Sequence, residues 1–184
     1  MKARIVVLLM VAVGAMARPA CATEANWNAT LGVLRLLLPV GEINLERRIS
    51  DQVGVGISAG MGKQSGSENR GYGPQPTTQT VTEGALFGNY YAEGFDNGMI
   101  FGAELRVFQG KADFAGATAS QIVQLGGYGG YKFTHFVSPR LGLVGALHLG
   151  YKFALYPAEV ATENNPTASI TAQTLVNLLL GVAF

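Results

Sequence analysis

Ser169-Ile-Thr-Ala-Gln-Thr-Leu-Val-Asn-Leu-Leu-Leu-Gly-Val-Ala-Phe184 is the stretch whose reading decides the fold. Counting back from Phe184 by twos gives Val182, Leu180, Leu178, Val176, Thr174, Ala172 and Ile170. The other parity holds Ala183, Gly181, Leu179, Asn177, Leu175, Gln173 and Thr171. A β-strand sends alternate side chains to opposite faces. One face here is almost wholly apolar, and the other is small, amide-bearing or mixed. A strand with lipid on one side and a polar lumen on the other has this pattern. The last strand of a soluble β-domain is the competing reading.

The N-terminus predicts the export that a membrane strand requires. Lys2 and Arg4 precede an uninterrupted run of apolar or small residues from Ile5 to Ala17, and Ala20-Cys21-Ala22 supplies a small-x-small cleavage pattern. This is the layout of a secretory signal peptide, with a run too short to span a bilayer. Cleavage is expected after Ala22, leaving residues 23–184 as one β-barrel domain. Cys21 also follows a small residue, as in a lipoprotein signal, but Arg18 stands where that signal wants an aliphatic side chain. Cys21 is the single cysteine, so the exported chain would carry no disulfide. Lys2, Arg4 and Arg18 leave with the signal, so acidic side chains then outnumber basic ones. That balance argues against a nucleic-acid partner. Nothing after the signal has the roughly 18 consecutive apolar residues of a membrane helix. A chain that is 48% hydrophobic must therefore place its apolar side chains in a β core or against lipid.

Alternation recurs along the chain. Strands are predicted over 28–38, 42–49, 53–62, 80–91, 99–109, 119–133, 140–153 and 169–184. Val53–Gly62 alternates most cleanly, with Val53, Val55, Ile57, Ala59 and Met61 opposite Gly54, Gly56, Ser58, Gly60 and Gly62. A nearly bare second face suits the crowded interior of a small barrel, where small residues make room for large ones. Elsewhere the inward parity collects charge: Arg35, Glu42, Glu46, Arg48, Glu83, Glu104, Arg106, Lys132, His148 and Lys152. Long loops are expected at Lys63–Gln79, Gly110–Thr118 and Ala154–Ala168. Short turns centre on Asp51, Asp96 and Ser138, and Pro39–Gly41 makes an unusually short connection. With both termini periplasmic, the long loops fall outside the cell. Aromatics gather at strand ends, with Tyr90, Tyr91, Tyr131, Phe133 and Phe184 at one rim and Phe108, Tyr151 and Phe153 at the other, as in two interfacial girdles.

With these features the chain resembles the small eight-stranded bacterial outer-membrane β-barrels, of the outer-membrane protein X and OmpA transmembrane-domain type. The resemblance covers residues 23–184 and rests on pattern plus the Phe184 strand. Asn44-Leu-Glu-Arg-Arg48 and Gly130-Tyr-Lys-Phe133 also look like segments of small exported barrel families. The resemblance implies an all-β, eight-stranded antiparallel up-and-down transmembrane barrel, located in the outer membrane. It implies that the barrel-assembly machinery recognises the last strand through Phe184, Val182 and Leu180. Outer-membrane lipid is the expected surrounding, and a monomer the expected state.

The inward charges are read as a paired network that fills the lumen, with Arg35, Glu46, Arg48, Glu104, Arg106 and His148 as its members. A charge in a low-dielectric interior needs partners or water. A gated ion path is the alternative, but eight strands leave room for little beyond side chains. An enzyme would need a nucleophile and a base. His135 and Ser138 are similar in kind to the His/Ser pair of outer-membrane lipid A deacylases, but the spacing departs from theirs and the pair falls on a predicted periplasmic turn. Gly60-Met-Gly-Lys63 lacks the spacing of a phosphate-binding loop, and Gly126–Gly130 reads as strand interior. His148 has no second His or Cys to form a metal site. The expectation is a non-enzymatic barrel without cofactor or metal, structural or adhesive through its loops, with no extracellular ligand named. A soluble lipocalin-type binder would show the reverse polarity, apolar within and polar without.

Overall fold

The computed structural model describes residues 25–37, 40–69, 74–112, 120–156 and 173–184. The signal segment, Tyr72 and most of the loop at 154–168 lie outside these residues. Eight strands follow one another: β1 (Trp27–Gly32), β2 (Val40–Arg48), β3 (Val53–Asn69), β4 (Pro74–Tyr91), β5 (Gly98–Ala112), β6 (Ser120–Ser138), β7 (Leu141–Tyr156) and β8 (Gln173–Ala183). Each pairs antiparallel with its sequence neighbours, and β1 pairs with β8 to close the barrel. Closure leaves no free sheet edge around the wall. The seam runs from Asn28↔Ala183 to Gly32↔Leu179. Beyond it the Phe184 carbonyl accepts from the Asn26 and Trp27 amides at 3.1 and 2.9 Å, and the Phe184 amide donates to Trp27 at 2.9 Å.

The polarity is that of a barrel turned outward. Val55, Leu143 and Leu180 do not meet in a dry centre; they are 44%, 54% and 47% exposed on the outer wall. Phe101, Leu86, Leu125, Phe133 and Phe153 are exposed beside them, while Glu42, Glu46, Glu104, Arg106, Lys132 and Lys152 are buried inside. Glycine makes this interior possible. Tyr128 lies in register between Gly102 on β5 and Gly150 on β7, and a Cβ at either glycine would run into it.

Four expectations are corrected. The first strand stops at Gly32, and Val33–Leu37 forms a single helical turn, α1. Val-Leu-Arg-Leu-Leu offers no alternation to hold a strand, and leucine and arginine favour helix. Second, the Lys63–Gln79 loop is largely strand: β3 runs to Asn69 and β4 starts at Pro74, paired throughout. This ribbon passes the ends of both neighbours, since β2 reaches only Gly62 and β5 only Gln79. Third, Tyr91 is no girdle residue. It is 1% exposed and points inward, whereas its neighbour Tyr90 is exposed. Phe108 likewise has the lumen parity of Glu104 and Arg106 and lines the interior cavity. Finally, the Thr134–Pro139 turn is shorter than expected, because β6 continues to Ser138.

The short connections lie together with the termini at one end, called here the turn end. In the β4–β5 turn Gly94 and Gly98 have φ of 126° and 124°, values that favour glycine. At the other end, the mouth, α1 and the β3–β4 ribbon stand. Among the described residues no helix is long and apolar enough to cross a membrane.

Candidate functional site

The lumen holds two polar clusters stacked along the barrel axis. Arg106 on β5 is the centre of the one nearer the mouth. Its Nη1 lies 2.9 Å from Glu42 Oε2 on β2 and 3.0 Å from Glu83 Oε2 on β4. Its Nε and Nη2 donate to the two oxygens of Glu104, each at 3.2 Å. Lys152 Nζ on β7 reaches Glu104 Oε1 at 2.8 Å. Arg35 on α1 folds down over the top, with Nε 2.9 Å from Glu42 and Nη1 paired with Glu83. Three cations thus meet three carboxylates, drawn from α1 and four strands. Charges removed from water are tolerable only when paired and hydrogen-bonded in this way.

The second cluster centres on Glu46 of β2. It accepts from Asn28 Nδ2 at 3.0 Å, Asn89 Nδ2 at 2.8 Å and the Tyr91 hydroxyl at 2.5 Å. The Tyr128 hydroxyl donates to Asn89 Oδ1 at 2.8 Å, extending the chain across the lumen. Lys132 Nζ stands 3.7 Å from Glu46 and faces two rings, Phe95 at 3.8 Å and Tyr91 at 4.6 Å. An ammonium over an aromatic face gains electrostatically from the ring quadrupole. Phe95 comes from the β4–β5 turn, tucks into the barrel and meets Tyr91 edge-on at 5.3 Å. Asn97 pins the same turn to β6, accepting from the Thr134 amide at 2.7 Å. Tyr91, Phe95, Ile100 and Lys132 are almost fully buried, so the turn end is corked. A cavity of about 450 Å³ opens at the mouth above the Arg106 cluster, and only about 30 Å³ remains between the clusters.

The six residues expected to form one network are distributed over the length of the lumen. Arg35, Glu104 and Arg106 share the mouth cluster, and Glu46 centres the other. Arg48 sits at the turn end, 2.5 Å from Asp51 and 6.0 Å from the Phe95 ring. His148 stacks on Tyr128, with centroids 4.5 Å apart. Glu42 and Glu83, whose inward parity was legible, each pair with both Arg106 and Arg35. Phe95 was missed altogether, because nothing in a turn sequence marks a side chain that folds back inside.

His135 and Ser138 are not joined by a hydrogen bond. His135 is exposed on the outer wall and stacks on Phe133, with centroids 6.4 Å apart, while the Ser138 hydroxyl accepts from the Arg140 amide at 3.4 Å. Of the proposed assembly-signal residues, Leu180 is exposed outward. Val182 shares its parity but is 8% exposed, between register partners Leu143 and Ala29.

Comparison with protein-family models, curated proteins and solved structures finds no match to this chain.

Proposed function

We propose that this protein is a non-enzymatic integral outer-membrane β-barrel whose role is structural, or one of surface interaction through its mouth-end loops. The observation that carries the reading is the inverted polarity of the wall. Large apolar side chains are exposed on β2 through β8, and carboxylates, guanidinium and ammonium groups are buried within. Soluble monomers rarely expose apolar patches beyond a few hundred Å², and ionised side chains are almost never fully buried unless paired. Lipid around the wall resolves the first anomaly, and the two clusters resolve the second.

Filled cross-sections and the Phe95 cork favour this reading over a pore. The surface-interaction role draws on the β3–β4 ribbon, which stands beyond its neighbours at the end opposite the termini. Exposed loops and projections carried by a rigid scaffold are where recognition concentrates.

Fractionation of expressing cells tests the reading. The protein is expected to sediment with outer membranes, to resist alkaline carbonate extraction, and to migrate faster on gels unheated than boiled. Recovery in the soluble periplasmic fraction, with no such mobility shift, would overturn it.

A further inference from the structure

We infer that the outer wall carries a seat for one anionic glycerophospholipid of the periplasmic leaflet, with its phosphate on Arg47 and an acyl chain in the groove beside it. The inference rests on the membrane reading above and adds a specific partner to it.

The groove encloses about 750 Å³ on the outside of β2 to β6. Its floor follows one line of register partners, from Arg47 to Val55, Gly88 and Ala103. A Cβ at Gly88 would meet only a carbonyl at 4.0 Å, so the space above it is open. One bank is the adjacent line of Ile57, Leu86, Leu105 and Leu125. The lining is almost wholly apolar. Glu104 borders it too, but turns its carboxylate inward to Arg106 and Lys152.

Arg47 gives the groove a direction. It is exposed on the apolar parity of β2, next to the turn end, with its guanidinium 5.5 Å over the Trp27 ring. Among the described residues it has no carboxylate within ion-pair distance. Its neighbour Arg48 faces the other way and pairs with Asp51. A guanidinium binds phosphate oxygens through two parallel hydrogen bonds. Trp27 belongs at the interface, where its ring lies at headgroup depth. A cation at headgroup level that opens onto an apolar trough is complementary to an anionic head joined to a hydrocarbon chain.

Trp27 is the only tryptophan of the chain and lines the groove, which makes the test direct. The full-length mature protein is folded into phosphatidylcholine vesicles containing a minority of brominated-chain phosphatidylglycerol or, separately, of brominated-chain phosphatidylcholine. Quenching of Trp27 should show a roughly fivefold preference for the anionic lipid at this site, the weight of one basic residue at a charged bilayer surface. Arg47→Gln should abolish the preference, and Gly88→Leu should reduce quenching by both lipids. Equal quenching by the two lipids in the wild type, or a preference that survives Arg47→Gln, overturns the inference while leaving the membrane reading standing. Protection of Trp27 from both lipids together with inter-protein crosslinking assigns the groove to a second copy, and also overturns it. Absence of a gel-mobility shift after folding, with no quenching by either lipid, removes the membrane reading and the inference with it.

Discussion

Arg106→Ala is expected to cost the barrel about 3–5 kcal/mol of stability, the usual consequence of removing one partner from a buried ion cluster. Its guanidinium is within reach of three carboxylates, Glu42, Glu83 and Glu104, all buried inside the wall. Arg35 would remain on Glu42 and Glu83, and Lys152 on Glu104. Three negative groups would then share two cations at the rim of the cluster, with none at its centre. Lys152→Met strips a single contact and should cost only about 1–3 kcal/mol. Urea unfolding in detergent micelles, followed by Trp27 emission and by gel mobility, measures both. Equal and small losses in the two variants would mean that water, and not Arg106, compensates these carboxylates.

Gly150→Val should impair folding at least as severely, while Gly127→Val should be nearly silent. The two positions flank one strand pair, with Tyr128↔Gly150 inside and Gly127↔Tyr151 outside. A Cβ at Gly150 would strike the Gly127 carbonyl oxygen and approach the Tyr128 backbone to 2.7 Å. Backbone atoms of a paired strand cannot rotate away, so the cost should reach or pass the ~3 kcal/mol upper end of ordinary overpacking. At Gly127 the same side chain enters open space. Refolding yield, scored as the fraction of mobility-shifted protein, distinguishes the pair. Similar yields for both would show that the interior glycines are not there for close approach.

These effects follow from parity, and parity was the most legible property of the sequence. Val53–Gly62 and the last strand show their two faces without help, because one face is apolar and a one-residue slip would reverse it. Where no face is apolar the signal vanishes. Lys63–Asn69 and Pro74–Gln79 hold serine, glycine, glutamine and threonine on both parities, so a paired ribbon looked like a loop. Its two prolines lie past the end of β5, where a missing amide leaves no ladder bond on that side unmade.

The errors at Tyr91 and Phe108 have a different origin. Counting by twos from Glu83 reaches Asn89 and Tyr91, and counting from Glu104 reaches Arg106 and Phe108. Parity already placed both rings inside; grouping them by nearness to a strand end put them on the girdle. The burial of Tyr91 and the place of Phe108 on the lumen cavity show that alternation outranks position along the strand. The cation–aromatic cork had no comparable signal. It requires Phe95 from a turn, Tyr91 from β4 and Lys132 from β6, which only the closed register brings together.

Site-directed spin labelling in outer-membrane vesicles asks directly what the greasy faces touch. Single cysteines at Val55, Leu143 and Leu180 would be labelled and compared with one at the exposed turn residue Asp51. At the three wall positions, collisions with dissolved oxygen should be frequent and collisions with a water-soluble nickel chelate rare, the reverse of Asp51. Chelate access at Val55, Leu143 and Leu180 equal to that at Asp51 would mean that water, not acyl chains, surrounds this barrel.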